Sequence, residues 1–310
     1  MAKILITGGA GFIAGALAAK LSENQDDTLV LVDNLVSGSM KKVPVSRHKN
    51  IHFIKCDVND FKEISSVFFA WKFDYVFHYA ALVGVQRTLA NPVKVLEDIE
   101  GIKNILNLSK NNGVKRIYYS SSSEVYGEPV QIPQNEHTTP LNSRLPYAIV
   151  KNLGEAFLRA YHKEYKLEYT VFRFFNTYGP LQSEDFVITR FLNSSLKNEN
   201  ITIYGDGSQT RTFCYINDNV DVCEKIFRQN LHINDVVNIG SDVEVSILTL
   251  AEKIISLTGS KSNVVHLPPL AEGDMTRRKP DISKMNALLI RPITTLEEGL
   301  KQIISHRRIN

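Results

Sequence analysis

The sequence predicts an α/β protein built on a doubly wound parallel sheet. Three observations predict it. Short apolar runs of buried-strand length recur through the first 175 residues, and stretches with helical spacing separate them. The first run passes into a glycine turn and the second ends on an aspartate. Strands alternating with helices give a parallel sheet covered on both faces, with ligands at the C-terminal ends of the strands.

Composition admits this class and narrows the alternatives. A chain of 310 residues suits one large domain or two modest ones, with ample core. Hydrophobic content of 43% and charged content of 22% are ordinary for a globular protein. A net charge of +3 is too small to argue for nucleic acid, and Lys and Arg are scattered apart from clusters such as Arg277-Arg278-Lys279. There is no run of about 18 apolar residues, so no membrane partner is expected. Cys56, Cys214 and Cys223 show neither a C-x-x-C pair nor a metal spacing, which predicts reduced thiols, no metal and a cytoplasmic setting. The opening MAKILITGG reads as a strand rather than a signal peptide.

Residues 3–7, KILIT, form the first strand, bounded by Gly8-Gly9. The stretch GFIAGALAAKLSE follows with helical periodicity, and TLVLVD (28–33) is the second strand. Together they make one βαβ unit. Glycines at 8, 9 and 11 let the chain turn tightly and let a pyrophosphate approach the N–H groups at the helix start. Asp33 closes the second strand, where a carboxylate accepts hydrogen bonds from adenosine ribose hydroxyls and favours NAD over NADP. A βα turn that binds nothing is the bland alternative. FIKCDVND (53–60) supplies a third strand ending in Asp57, YVFHYAAL (75–82) a fourth, and RIYYSSSSEVYG a fifth that ends in a serine cluster and Glu124.

LPYAIVKNLGEAFLRAYHKEY (145–165) is a long amphipathic helix. Tyr147 and Lys151 lie one turn apart on one face. An ammonium beside a phenol stabilises the phenolate, so Lys151 is expected to lower the Tyr147 pKa towards a usable value. Alone, the pair could be a surface pair on a helix. RFFNTYGP (173–180) reads as a strand running into a turn, and TLEEGLKQIIS (295–305) as a terminal amphipathic helix.

The set TGGAGFIAG, Asp33, Asp57, HYAA, SSSSEVYG, YAIVK and RFFNTYGP resembles the extended short-chain dehydrogenase/reductase superfamily, in its nucleotide-sugar epimerase/dehydratase branch. The resemblance runs from Lys3 to about Ile304. It implies a Rossmann domain over 1–175, rejoined by part of 213–240, and a smaller α/β domain over 176–310 that binds a nucleotide-diphosphate sugar. It implies NAD held by Gly8, Gly11, Phe12 and Ile13, by Asp33, Asn34, Asp57 and Val58, by Tyr79, Ala80 and Ala81, and by Tyr147 and Lys151. Ser122 and Tyr147 would hydrogen-bond the sugar 4-hydroxyl, Tyr147 would take its proton, and Lys151 would hold the nicotinamide ribose. Val83, Asn176 and Arg211 would meet the substrate. ITIYGDGSQTRTFCYINDNVD (201–221) resembles the nucleotide-binding strand, and EGDMTRRKPD (272–281) a second phosphate element contacted by Arg277 or Arg278.

Three positions depart from the pattern of the branch. Ala14, followed by Gly15, replaces the third turn glycine and is expected to shift the helix slightly. Asp98 stands where the branch usually has Asn, and would need a partner or a raised pKa if buried. Ala271 stands where many members carry Arg, so one nucleotide contact is expected to be absent or supplied differently.

Members of the branch share oxidation at C4 and diverge afterwards. The 4,6-dehydratases carry Thr-Asp-Glu where this chain has Ser122, Ser123 and Glu124, so dehydration loses its proton donor at Ser123. Nucleotide-glucuronate decarboxylases carry Thr-Ser-Glu, which is closer, but HYAALVGVQRT looks like that of epimerases and other C4 oxidisers. Reversible 4-epimerisation is therefore the leading expectation. A C4 dehydrogenase releasing the 4-keto sugar, a UDP-glucuronate decarboxylase and a 4,6-dehydratase are the alternatives, and a non-catalytic NAD-binding regulator is the competing class. Glu124 is expected to contact substrate hydroxyls or assist proton movement at C5 rather than face solvent. The resemblance also implies a homodimer through helices at about 90–110 and 147–165, the second of which has apolar residues on more than one face. The nucleotide base and the sugar stay open.

Overall fold

The computed structural model describes residues 1–44, 49–269 and 277–309. Its first half alternates as expected: β1 (Lys3–Thr7), α1 (Phe12–Leu21), β2 (Thr28–Asp33), β3 (Ile51–Lys55), α2 (Phe61–Trp71), β4 (Tyr75–His78), α3 (Val85–Ala90), α4 (Pro92–Asn111), β5 (Arg116–Ser122), α5 (Pro146–Tyr165) and β6 (Glu168–Phe174). The second half is more broken: β7 (Thr177–Tyr178), α6 (Val187–Leu196), β8 (Ile201–Tyr204), β9 (Thr210–Thr212), β10 (Cys214–Tyr215), α7 (Ile216–Arg228), β11 (Asp235–Ile239), β12 (Glu244–Ser246), α8 (Ile247–Thr258), β13 (Val264–Leu267), α9 (Ser283–Leu288) and α10 (Leu296–Ile309).

Seven strands form one sheet in the order β11-β6-β5-β4-β1-β2-β3, and every neighbouring pair is parallel. The chain builds outward from β1 to β3, then crosses back so that β4 lies on the other side of β1. The crevice at the β1 and β4 ends is therefore a topological switch point, where open sheets of this kind bind ligands. β11 returns from the second half to pair with β6.

The central strands β1 and β2 read as nearly unbroken apolar runs because both faces are covered. In β1, Ile4 and Ile6 enter one apolar cluster and Leu5 the other. The first cluster continues through α1 and α7 into the second half, and the second lies beneath α2, α4 and α5. Each such Ile or Leu stabilises the fold by about 1.5–3 kcal/mol through burial.

Several boundaries differ from the expectations. The third strand starts at Ile51 and ends at Lys55, so Asp57 lies beyond it. The segment 201–221 is not one strand but β8, β9, β10 and the start of α7. Gly205 (φ 69°) and Gly207 (φ 78°) turn the chain between the first two, a left-handed backbone that a continuous strand cannot hold. The terminal helix runs on to Ile309. Ala14 is accommodated as a buried residue of α1, and the steric constraint has moved to Gly15. A Cβ on Gly15 would come within 2.3 Å of the Lys42 carbonyl oxygen. Ala271 lies outside the described residues.

Candidate active site

A cavity of about 600 Å3 runs along the C-terminal ends of the sheet strands, from α1 to α6. That is within the usual range for small-molecule sites. Its first wall is made of backbone. Gly8 (φ 68°) sits so close to the chain just after β4 that a Cβ would lie 2.8 Å from the Ala80 nitrogen. α1 begins at Gly11 with no side-chain cap and no acidic residue in its first turn, so its N–H groups are left for an anion. Asp33 holds this loop together: its carboxylate accepts from the Ala10 amide at 3.1 Å and the Leu35 amide at 2.7 Å. Four lone-pair sites on a carboxylate leave further capacity for ribose hydroxyls. Asn34 donates to Asp57 at 3.0 Å, tying the ends of β2 and β3 together. These residues fit a dinucleotide: the uncapped helix start would hold a pyrophosphate, Asp33 a ribose, and Asp57 and Val58 would lie by the adenine.

Behind the turn, Thr7 organises β4. Its hydroxyl accepts from the Tyr79 and Ala80 amides at 3.0 and 3.1 Å, and so gives its own proton to His78 Nδ1 at 2.8 Å. His78 is then the Nε2–H tautomer. Burial drives its pKa down to about 3, so it stays neutral.

The side chains expected to carry the chemistry come from β5, the short turn after it, and α5. Pro146 at the first position of α5 suits the helix start, and Tyr147 and Lys151 from the first two turns line the cavity. Lys151 is 3% exposed, and its Nζ donates to the Ser120 carbonyl at 2.7 Å. Burial lowers its pKa to about 8, opposed by the charge of Asp98. The Tyr147 hydroxyl meets that of Ser122. Contrary to expectation, Tyr147 is not lowered in this arrangement. Burial, then the negative charge of Glu124, push its phenol well above the ordinary value. Lys151 Nζ stands 5.7 Å from the Tyr147 ring centroid with its hydrogen bonds directed at Ser120, so it gives the phenol little help.

Glu124 does not face solvent. Its Oε1 accepts from Arg278 Nη2 at 2.8 Å, and Oε2 is buried without a hydrogen-bond partner. Ser122 Oγ accepts from the Glu124 amide at 3.2 Å, which fixes the turn. Ser123 is buried in the same wall and is a hydroxyl, not an acid. Asp98 reaches the cavity from α4, accepts from the Leu82 amide at 2.8 Å and has a raised pKa, first because it is buried.

The far wall belongs to the second half. Asn176 (φ 34°) donates its side-chain amide to the Thr212 carbonyl at 3.0 Å. Arg211 is buried and donates to the Thr210 carbonyl at 2.7 Å. Arg190 lies over the Tyr204 ring, with Nε buried and lacking a hydrogen-bond partner.

Every residue named from the sequence for cofactor, substrate or catalysis lines this cavity except Arg277 and the turn's Gly9, which packs against Leu31. Arg277 points outward and grips Glu244 at 2.9 and 2.7 Å, while its neighbour Arg278 turns inward. Sequence reasoning missed Thr7, Ser120 and Arg190. A polar residue closing an apolar strand beside the glycine turn was a signal for Thr7. Nothing local marked Arg190 as part of the cavity, where it lies over the rings of its neighbour Phe191 and of Tyr204 from β8.

Residues 4–240 match the model of the NAD dependent epimerase/dehydratase family. A UDP-glucuronic acid decarboxylase 1 from Danio rerio is 36% identical, over 98% of this chain and 72% of that protein. A UDP-N-acetyl-alpha-D-glucosaminuronate decarboxylase from Bacillus cytotoxicus is 33% identical, over 97% of this chain and 96% of that protein. The crystal structure of a UDP-glucose 4-epimerase from Thermotoga maritima superimposes with a TM-score of 0.91 at 32% identity, over 99% of each chain.

Proposed function

This chain belongs to the NAD-dependent epimerase/dehydratase family, and from that premise we propose that it is a UDP-sugar 4-epimerase. NAD is its cofactor and a nucleotide sugar its substrate class. The observation that carries the reading is the meeting of Ser122, Tyr147 and Lys151 in a cavity that Ala80, Ala81, Leu82 and Val83 also line. The relatives' UDP-linked substrates support UDP as the nucleotide.

When bound, NAD supplies the acceptor for the C4 hydride and the donor that returns it. Tyr147 takes the proton of the sugar 4-hydroxyl while Ser122 hydrogen-bonds the same oxygen. Because the phenol is held high by burial and Glu124, its activation depends on positive charge brought close to it. For the configuration to invert, the 4-keto sugar must turn before hydride returns. The Ala80–Val83 wall offers no side-chain donor or acceptor to hold one face. Ser123 leaves elimination without an acid.

One observation favours a second reading, decarboxylation of a UDP-uronate. Arg278 is a buried guanidinium at the sugar end, held by Glu124 alone among the described carboxylates, and a C6 carboxylate entering the cavity would compete for it. A 4-keto uronate is a β-keto acid, so loss of CO2 follows readily from C4 oxidation.

The test is incubation with NAD and a panel of UDP-hexoses and UDP-uronates, with products read by mass and chromatography. A C4 epimer of unchanged mass supports epimerisation. Loss of the mass of CO2 replaces it with decarboxylation, loss of two hydrogens with a dehydrogenase, and no turnover removes the enzymatic assignment. A homodimer is part of the proposal: Val93 and Leu96 on α4 and Ile149 on α5 are exposed apolar residues on neighbouring helices. Sedimentation showing only monomer would count against it.

A further inference from the structure

Two segments meet across the crevice between the ends of β1 and β4, where the glycine turn begins. The first leaves β4 through Tyr79, Ala80 and Ala81 and passes from Val83 and Gly84 into α3. The second leaves β7 and runs from Gly179 to Phe186, ahead of α6. It passes beside the start of α1, since a Cβ on Gly179 would lie 3.2 Å from the Phe12 ring. α1 follows β1 and α3 follows β4, so the two segments lie on opposite sides of the switch point. Val83, Gly84 and Leu89 of the first and Gln182, Asp185 and Phe186 of the second line the cavity.

Arg87 and Asp185 join them. Arg87 Nη2 donates to Asp185 Oδ2 at 2.6 Å, and its Nη1 donates to the Val83 carbonyl at 3.3 Å. The backbone is close as well: a Cβ on Gly84 would lie 3.4 Å from Asp185 Oδ2. The two sides are held differently. Asp185 also accepts from Ser183 Oγ at 2.9 Å, and the buried Gln182 donates to the Thr177 carbonyl at 2.7 Å. These bonds fix the acid in place. The Arg87 side starts at Gly84 (φ 107°), a backbone conformation that glycine adopts freely and other residues rarely do. α3 is six residues long and has no side-chain cap at its start, and a helix that short has little stability of its own. Gly84 can therefore take up the dihedral change of a hinge. The ion pair itself keeps 31% and 29% of its side-chain surface in water. A pair that exposed is weak and screened by salt, which suits a contact that opens and closes.

We propose that the Arg87–Asp185 ion pair is a latch across the cofactor crevice. Closed, it retains NAD; broken, it lets α3 swing on Gly84 and open the way out. Arg87 is a positioning residue in this role and takes no part in the chemistry. The inference depends on the cofactor of the family and not on which reaction follows oxidation at C4.

The experiment loads the protein with NADH, whose fluorescence reports the bound state, and chases it with excess NAD in a stopped-flow instrument. Arg87→Met and Asp185→Asn should each release NADH about two- to fivefold faster than wild type. The double variant should be no faster than either single, because the same contact is lost in all three. Raising the ionic strength should speed release from wild type and leave the variants unchanged. Arg87→Asp combined with Asp185→Arg should slow release back towards wild type. A merely structural role would lower the denaturation midpoint without this coupling or this salt dependence. If Arg87→Met does not fold, Asp185→Asn carries the same readout. Release at the wild-type rate from the folded single variants, or single effects that multiply in the double variant, would overturn the latch.

Discussion

Helix α5 carries two buried charges one turn apart, and the fold treats them in opposite ways. Glu155 is fully buried and closed off. It accepts from Arg173 Nε and Nη2 at 2.9 and 2.7 Å and from Ser121 at 2.6 Å. Arg173 spends its remaining reach on the Tyr126 hydroxyl and the Glu136 carbonyl, at 2.8 and 3.1 Å. Its guanidinium is held firmly protonated, chiefly by the bonds to Glu155 working against burial. Lys151 has one carbonyl, one hydroxyl and a carboxylate out of contact, and burial brings it down to about 8. The difference teaches where to look for chemistry. A charge that serves the fold is neutralised by contact, whereas a charge kept near its titration point can respond to what binds.

The strongest way to break this comparison is Glu155→Gln, which leaves Arg173 buried without its counter-charge. We expect a loss of about 3–5 kcal/mol in chemical denaturation, with kcat of the folded fraction little changed. Tyr147→Phe attacks the other side. Turnover should fall about 10^2–10^4-fold, while the denaturation midpoint holds. A stability loss without an activity loss would show that Tyr147 belongs with Glu155.

A third test uses acid. His78 is neutral in the fold with a pKa near about 3, against an ordinary 6.5. Between those values the unfolded chain binds more protons, so stability is complete above 6.5 and declines as pH falls towards 3. Wild type should lose a few kcal/mol more than His78→Asn over that window; equal slopes would mean that His78 is already charged in the fold. The smallest effect sharpens the far wall. Arg278→Ala should raise KM about tenfold or more by removing a charge-assisted contact, while Arg277→Ala leaves KM unchanged. The reverse result would exchange their roles.

Much of the molecule was legible because it is local. β1, α1 and β2 follow from apolar runs and one glycine turn, and the cradle is made mostly of backbone that those residues force into shape. Tyr147 and Lys151 share a face by helical spacing alone. What was not legible came from distant pairing. The segment 201–221 looked continuous until its glycines turned, and Arg277 and Arg278 were equivalent until Glu244 and Glu124 each took one. The expected lowering of Tyr147 by Lys151 failed for the same reason: spacing brings the amine near the ring, but Ser120 on β5 decides where its protons point.

Chain pattern, then, accounts for the parallel sheet, the anion-ready helix start and the helix that presents a phenol and an amine together, because periodicity and backbone sterics act over a few residues. Which acid answers which base was decided by packing. Arg87, Asp185, Glu124 and Arg278 come from α3, the segment before α6, the turn after β5 and the segment before α9. Their pairing depends on distances that exist only once those segments have met.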